Sequence, residues 1–228
     1  MKAPAILCDT LATAGLGPGR RRLVLLLSQL GDFDSLEYAQ ALVPALPRLH
    51  AAGIDLLAIA IGDHAGADRF CAYTGLPRAV LRVEREPRIH RALGLYAGLQ
   101  IAPGPWPGLL LMCAGVGSPG TLREVLRGYT GDRSAPQRLQ GAPFAVLGEG
   151  FLRPFELASV RLRNMQEALS HWRTYVPDDR HLTQRGGTFL LDAEDNLLYE
   201  HRDAGLLGFS ASMAEPLRFL EPWLLPLA

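Results

Sequence analysis

An α/β fold built around a mixed or parallel sheet is predicted by three features of the sequence. Residues 23–28 and 54–61 are short, continuous apolar runs of the kind that form strands buried on both faces of a sheet. A third short strand candidate lies at 79–84. Each of the three runs is followed by a helix-like segment, and alternation at this spacing indicates β-α-β units.

The helix predicted after the first strand has a stop signal at its end and two prolines inside it. Apolar residues recur at helical spacing over 36–49, and Gly53 follows the end of the pattern. Pro44 and Pro47 lie inside it, so a kink or an early break is expected. A short helix over 86–96 is expected after the third strand.

The second half of the chain predicts one more strand-like run, a hairpin and several helices. Residues 109–114 are continuously apolar and have strand character. Residues 188–192 and 196–201 flank a turn and predict a β-hairpin. The helices predicted in this half are 121–129, 156–176 and about 212–225.

Composition sets the broad class of the protein. The 228 residues are 48% hydrophobic and carry no formal net charge, which gives no general reason to expect nucleic acid or an anionic membrane surface as a partner. The three cysteines form neither a disulfide framework nor a C-x-x-C pair. No signal peptide and no membrane-spanning run is recognised, so we expect a soluble protein of a reducing, cytoplasmic-type compartment.

Two phrases connect the chain to a known group. Residues 69–96 read RFCAYTGLPRAVLRVEREPRIHRALGLY, and residues 184–208 read QRGGTFLLDAEDNLLYEHRDAGLLG. Both resemble the peroxiredoxin-like, AhpC/TSA-related group of the thioredoxin-like superfamily. The resemblance implies a thioredoxin-like fold, a central mixed sheet flanked by helices with a helical insertion before the late hairpin. It also implies one domain over 1–228 with the insertion at about 102–183.

The departure from that group lies at its redox site. In the group, the first strand is followed by a glycine and then by C-x-x-C at the start of the long helix. The corresponding residues 30–35 read LGDFDS, which places Asp32 at the first cysteine position and Ser35 at the second. A helix N-terminus stabilises a carboxylate as it would a thiolate, but a carboxylate cannot form a sulfenic acid. Gly31, Phe33 and Asp34 complete this degenerate loop.

The late hairpin shows a second departure. Thioredoxin-like proteins usually carry a cis-proline just before the late strand, packed on the dithiol. The equivalent residues here are Gly186, Gly187 and Thr188. Loss of the proline fits loss of the dithiol, and glycine at this place also resembles the peroxiredoxin-like group itself.

The degenerate loop has two interpretations. Asp32, Asp34 and Glu37 put three carboxylates at one helix start, which suits a polar or cation-binding site. Helix capping and complementation of the helix dipole explain the same residues without a ligand. The capping interpretation predicts that Asp32 or Ser35 bonds a free backbone amide.

The cysteines are the remaining redox candidates. Cys71 is expected near the C-terminal end of its helix, where the dipole disfavours a thiolate. Cys113 is the better candidate, because it ends the strand-like run just before a glycine-rich loop whose amides favour an anion. For both residues, the favoured interpretation is nevertheless a core cysteine. Cys8 has no evident partner.

Other chemistry has little support in the sequence. Residues 115–120 form a literal G-x-G-x-x-G, to be weighed as a nucleotide loop or as a tight connecting turn. The six histidines are scattered without zinc-type spacing, so neither a metal nor a cofactor is predicted. The basic, aromatic helix around Arg161 and Trp172 is either a partner-binding face or a solvated helix side.

Two functional classes follow from these observations. In the first, the protein is redox-inactive at the usual dithiol site and acts as a binding or regulatory module, with a protein partner in the thioredoxin-like groove. In the second, it is an atypical thiol-dependent antioxidant enzyme, a peroxidase or reductase, that uses Cys113 or Cys71.

Overall fold

The computed structural model describes residues 1–132 and 149–224, with the backbone alone described for residues 149–155. Its five strands coincide with the apolar runs that the sequence marks. They are β1 (Arg21–Gln29), β2 (Ile54–Ile61), β3 (Leu81–Glu84), β4 (Gly187–Leu191) and β5 (Leu197–Arg202). The three predicted strands of the first half and the predicted hairpin are confirmed.

One mixed sheet contains all five strands in the order β3-β2-β1-β4-β5. β1 runs parallel to β2 and antiparallel to β4, so that Leu25 lies opposite both Ala58 and Thr188. The parallel β-α-β half and the antiparallel hairpin half therefore meet at β1. This arrangement confirms the predicted α/β, thioredoxin-like fold.

Alternate residues of β1 enter two cores, which explains its continuous apolar character. Leu23 and Leu25 belong to the larger cluster on one face of the sheet, and Val24 and Leu26 belong to the cluster on the other face. Helices cover both faces. Those of the first half are α1 (Ala5–Thr13), α2 (Phe33–Leu42), α3 (Leu46–Ala51), α4 (His64–Thr74) and α5 (Arg88–Ala92).

The prolines after α2 act as predicted. The helix ends at Leu42, a 3-10 turn spans Val43–Ala45, and α3 starts at Leu46. Pro44 and Pro47 lie in the first turns of the two short elements, where a missing amide costs no hydrogen bond. The predicted single pattern is therefore a broken helix.

In the described residues, the segment between α5 and β4 contains four α-helices joined by loops. They are α6 (Pro105–Cys113), α7 (Thr121–Thr130), α8 (Glu149–Ser170) and α9 (Trp172–Tyr175). The strand predicted at 109–114 is wrong. Pro105 starts a helix, and the leucines and Met112 that follow are good helix formers without β-branching. The interpretation as one domain with an insertion stays a prediction.

The C-terminal segment also differs from the prediction. Within 212–224 only a 3-10 helix, Arg218–Trp223, forms in place of the expected longer helix. Pro216 and Pro222 each lack an amide donor, which prevents a continuous helix. In the described ranges, no helix combines the length and apolar character that crossing a bilayer requires.

Candidate functional site

The degenerate loop lies between β1 and α2, at the carboxyl end of β1. Asp32 is the residue before the first turn of α2, and Ser35 follows in that turn. A Cβ atom at Gly31 would lie 2.6 Å from Cγ2 of Val176, so the loop packs directly against the residues that follow α9. Glycine at this position therefore answers a packing need.

The capping prediction for this loop is wrong. Asp32 makes no side-chain hydrogen bond to the helix amides. Its Oδ2 instead accepts from Ser35 Oγ at 3.4 Å and from Nη1 of Arg185 at 3.5 Å. The guanidinium, which sits just before β4, supplies the positive partner that the helix amides were expected to provide.

Arg185 is the central cation of the site. Its side chain is 1% exposed, and Nε donates to the Thr183 carbonyl at 3.3 Å. Within the described residues, its Nη2 is buried without a hydrogen-bond partner. A buried charge requires a counter-charge, and Asp32 provides it.

Asp34 is buried rather than exposed on the helix surface. Its Oδ2 accepts from the Gly208 amide at 2.9 Å, which ties the start of α2 to the loop after β5. Burial raises the pKa of Asp34 well above its usual range, and the carboxylates of Asp32 and Glu37 raise it further.

A third carboxyl group, Asp203, comes from the end of the hairpin. Burial raises the pKa of Asp203 to about 7, with the Asp32 carboxylate adding to the shift and Arg185 opposing it. The Asp203 amide donates to the Gly186 carbonyl at 3.1 Å, so the start of β4 holds this residue in place. Three carboxyl groups thus share the field of one guanidinium.

A polar cavity of about 10 Å³, roughly the space of one water molecule, lies among these residues. Tyr38 and Thr188 line it and join hydroxyl to hydroxyl at 2.9 Å. Asp32, Asp34 and Asp203 also line it, and no cysteine is among the described residues around it. The cavity therefore has carboxyl and hydroxyl chemistry where the resemblance in the sequence predicts the two cysteine positions.

The position expected for the cis-proline is occupied by a glycine for a steric reason. A Cβ atom at Gly186 would lie 1.9 Å from the Leu26 carbonyl oxygen and 3.0 Å from Oδ2 of Asp203. The backbone before β4 thus approaches the end of β1 more closely than any side chain allows.

Cys71 lies in α4, three residues before its end, and packs in the larger core cluster. Burial raises the pKa of the Cys71 thiol, with Arg78 opposing and Asp68 adding to the shift. This environment disfavours the thiolate.

Cys113 is the last residue of α6, not the end of a strand, and the amides of Gly115 and Val116 donate to backbone carbonyls of this helix instead of to the thiol. The C-terminal end of a helix disfavours a thiolate. Although the residue is exposed, partial burial raises the pKa of Cys113, the Asp32 carboxylate adds to this, and Arg185 opposes it. The structure thus brings this thiol into the field of the Asp32–Arg185 pair.

One face of α6 borders the degenerate loop. Trp106 and Cys113 are seven residues apart and therefore lie on the same face of this helix. The Trp106 ring lies 5.5 Å from the ring of Trp172, which in turn packs beside Gly31. Trp106 remains 43% exposed. This face, the loop and the start of β4 form the surface around the site.

Two other candidate binding sites from the sequence, a glycine-rich loop and a basic helix, have structural roles. The G-x-G-x-x-G at 115–120 joins α6 to α7, so the strand that a nucleotide loop requires before it is absent. The Ser118 hydroxyl of this turn accepts from the Leu206 amide at 2.8 Å. Arg161 of the basic helix pairs with Glu37 at 3.2 Å and is half-buried.

Sequence reasoning missed Arg185 and Asp203 as members of the site. Both lie in the phrase 184–208 that carries the family resemblance, and their charges were the available signal. That both side chains are buried could not be predicted from their positions beside strands in the sequence.

Comparison with known proteins identifies a matching protein family. The family model described as AhpC/TSA antioxidant enzyme matches residues 41–205. The match includes Arg185 and Asp203 and begins after the degenerate loop at 30–35. No curated protein and no solved structure matches the chain.

Proposed function

Since the chain belongs to the AhpC/TSA antioxidant enzyme family, we propose that this peroxiredoxin-like, thioredoxin-fold protein is redox-inactive at the usual site and acts as a binding or regulatory module. The proposal rests on one observation. The helix start that would hold the reactive thiol holds Asp32, paired with the buried Arg185.

The chemistry of the reaction explains why this observation matters. Peroxide reduction by a thiol requires a thiolate that attacks one peroxide oxygen and becomes a sulfenic acid, and then a second thiol that resolves it. Asp32 and Ser35 occupy both helix-start positions, and neither side chain can carry out either step. The charge of Asp32 is instead used to balance Arg185.

The environments of the cysteines support the same proposal. Burial raises the pKa of each of the three thiols, so the thiolate is scarce at neutral pH at every one of them. Cys8, Cys71 and Cys113 lie on three different helices, α1, α4 and α6. We also propose that the protein works in a reducing compartment, as expected from these free thiols.

The alternative is a thiol enzyme that uses Cys113. It is favoured over Cys71 by one observation, since Cys113 is exposed and lies within the field of Arg185, whereas Cys71 is buried. A movement of Asp32 away from Arg185 would leave a cation to stabilise the Cys113 thiolate.

The test is peroxide consumption coupled to a thioredoxin or glutathione supply. We expect no enzymatic turnover by the wild type, because no thiolate stands at the helix start. Cys113→Ser and Cys71→Ser are measured alongside. Rapid turnover that is lost only in Cys113→Ser would establish the alternative. Turnover that is lost only in Cys71→Ser would show that the argument from the end of α4 is wrong.

The binding part of the proposal uses the surface around the site. The exposed Trp106 and the neighbouring Trp172 flank the degenerate loop and offer aromatic area to a protein partner. Aromatic residues at such positions frequently carry much of the binding free energy of an interface.

A further inference from the structure

We propose that Glu86, Asp178 and His181 form a binding site for a divalent transition-metal ion of the Zn²⁺ class. Glu86 lies in the turn after β3, whereas Asp178 precedes and His181 ends the 3-10 turn Asp179–His181 before β4. One ligand atom from each residue lies within 4.8 Å of the others. Zn²⁺ binds nitrogen and oxygen ligands at about 2.0–2.2 Å, so ligand atoms this close can surround one ion.

The second observation is the state of the His181 ring. Its side chain is 8% exposed, and Nε2 lies 3.2 Å from Oε2 of Glu86. This nitrogen is nevertheless buried without a hydrogen-bond partner in the described part of the chain, because its direction does not suit a hydrogen bond to that oxygen. An unpaired buried polar atom is costly, and an ion between the ring and the carboxylate would satisfy both.

The backbone on both sides of the site is already held in place. The Asp178 carbonyl accepts from Nε2 of the buried Gln29 at 2.8 Å, which anchors it to the end of β1. The Glu86 carbonyl accepts from the Arg88 amide at 2.8 Å. The ligands therefore need little reorganisation to bind an ion.

In the absence of an ion, two arginines pair with these carboxylates. Nη2 of Arg180 lies 2.8 Å from Oε1 of Glu86 and 2.5 Å from Oδ2 of Asp178, and Nη1 of Arg91 lies 3.7 Å from Oε2 of Glu86. The Arg180 side chain is 64% exposed. Exposed ion pairs of this kind contribute little, so Arg180 is a replaceable competitor of the ion.

The donor set decides the class of ion. One imidazole and two carboxylates suit Zn²⁺ better than Mg²⁺ or Ca²⁺, which prefer oxygen ligands alone. A neutral imidazole supplies the lone pair at pH 7. A bound ion would tie the turn after β3 to the segment before β4, across 92 positions of the chain between Glu86 and Asp178.

Zn²⁺ binding to the full chain is measured by calorimetry and by the shift in Tm, in a Cys113→Ser background that removes the exposed thiol. We expect one site. His181→Gln should weaken Zn²⁺ binding at least tenfold, and Arg180→Gln should tighten it severalfold because it removes the competing cation. His50→Gln, a change at an exposed histidine, is the matched control and should bind as the parent does.

Two outcomes would overturn the site. Either no one-to-one Zn²⁺ binding occurs, or binding is unchanged in His181→Gln. If His181→Gln does not fold, Glu86→Gln takes its place with the same expected loss. A Tm shift with Mg²⁺ as large as that with Zn²⁺ would contradict the imidazole-containing class of site. None of these outcomes depends on the peroxide assay, so the site and the proposed function fail separately.

Discussion

At the scale of single residues, the site is defined by an imbalance of charge. Asp32, Asp34 and Asp203 lie in the field of one buried cation, Arg185. One guanidinium can neutralise one carboxylate, so burial favours the protonated form of the other carboxyl groups. Asp34 and Asp203 both respond with a raised pKa. Two of the three aspartates around Arg185 thus bind a proton more tightly than an ordinary aspartate does.

The raised pKa of Asp203 predicts how stability depends on pH. The folded state keeps a proton on Asp203 up to a pH of about 7, whereas the unfolded chain releases it near the ordinary value of about 4. This contribution is full below about pH 4 and is lost as the pH rises through about 7. Between pH 4.5 and 8, Asp203→Asn should therefore gain on the order of 2–4 kcal/mol in free energy of unfolding relative to the wild type.

Urea denaturation at the two pH values measures this difference. Asp55→Asn, at the surface ion pair with Arg20, is the control for the substitution itself. A gap between Asp203→Asn and the wild type that does not change with pH would show that Asp203 is ionised in the folded protein at both values.

At the scale of secondary-structure elements, the distance between neighbouring backbones decides which residue types fit beside the strands. The residue before β4 lies so close to Leu26 of β1 that Gly186 cannot be replaced without movement of the backbone. The loop after β5 shows the opposite situation. A Cβ atom at Gly208 would meet no heavy atom within 4 Å, although its amide bonds Asp34.

This contrast gives a matched pair of substitutions. Gly186→Ala should lower the free energy of unfolding by about 1–3 kcal/mol or more, the usual cost of forcing atoms into a packed interior. Gly208→Ala should stay within about 0.5 kcal/mol of the wild type, as surface substitutions usually do. Thermal and urea unfolding check both values. Equal stability of the two variants would contradict the close approach.

At the scale of the whole molecule, the site is assembled from distant parts of the chain. Asp32 and Asp34 lie at the start of α2, Arg185 lies two residues before β4, and Asp203 directly follows β5. α6, from the segment between β3 and β4, adds Trp106 on the outside. A partner that binds this surface would contact parts of the chain that are about 75 residues apart in sequence.

This assembly predicts which surface residue matters for a partner. Proteins captured by the immobilised chain should be lost with Trp106→Ala, because it removes an exposed aromatic ring beside the site. Tyr129→Ala removes a more exposed ring on α7 and should retain them. Quantitative mass spectrometry of the bound fractions measures the difference. Identical sets of bound proteins for the two variants would mean that the Trp106 surface is not the binding site.

The accuracy of the sequence predictions follows the range of the interactions involved. β1, β2 and the hairpin were predicted because apolar runs and turn residues are local signals. The run 109–114 was assigned wrongly because a short apolar run suits a strand or a helix equally well. Capping by Asp32 was wrong because Arg185, 153 positions later, takes the carboxylate instead.

The positions of the five strands along the chain, the family resemblance and the absence of cysteine at both helix-start positions were determined by the sequence alone, because each depends on residue type at a known spacing. The tertiary structure decided the rest. It buried Asp34 and Asp203 beside Arg185, turned Cys113 to the end of a helix and brought Glu86 to His181. The physical reason is that burial and electrostatic fields depend on neighbours in space, and no local pattern records which distant residues become neighbours.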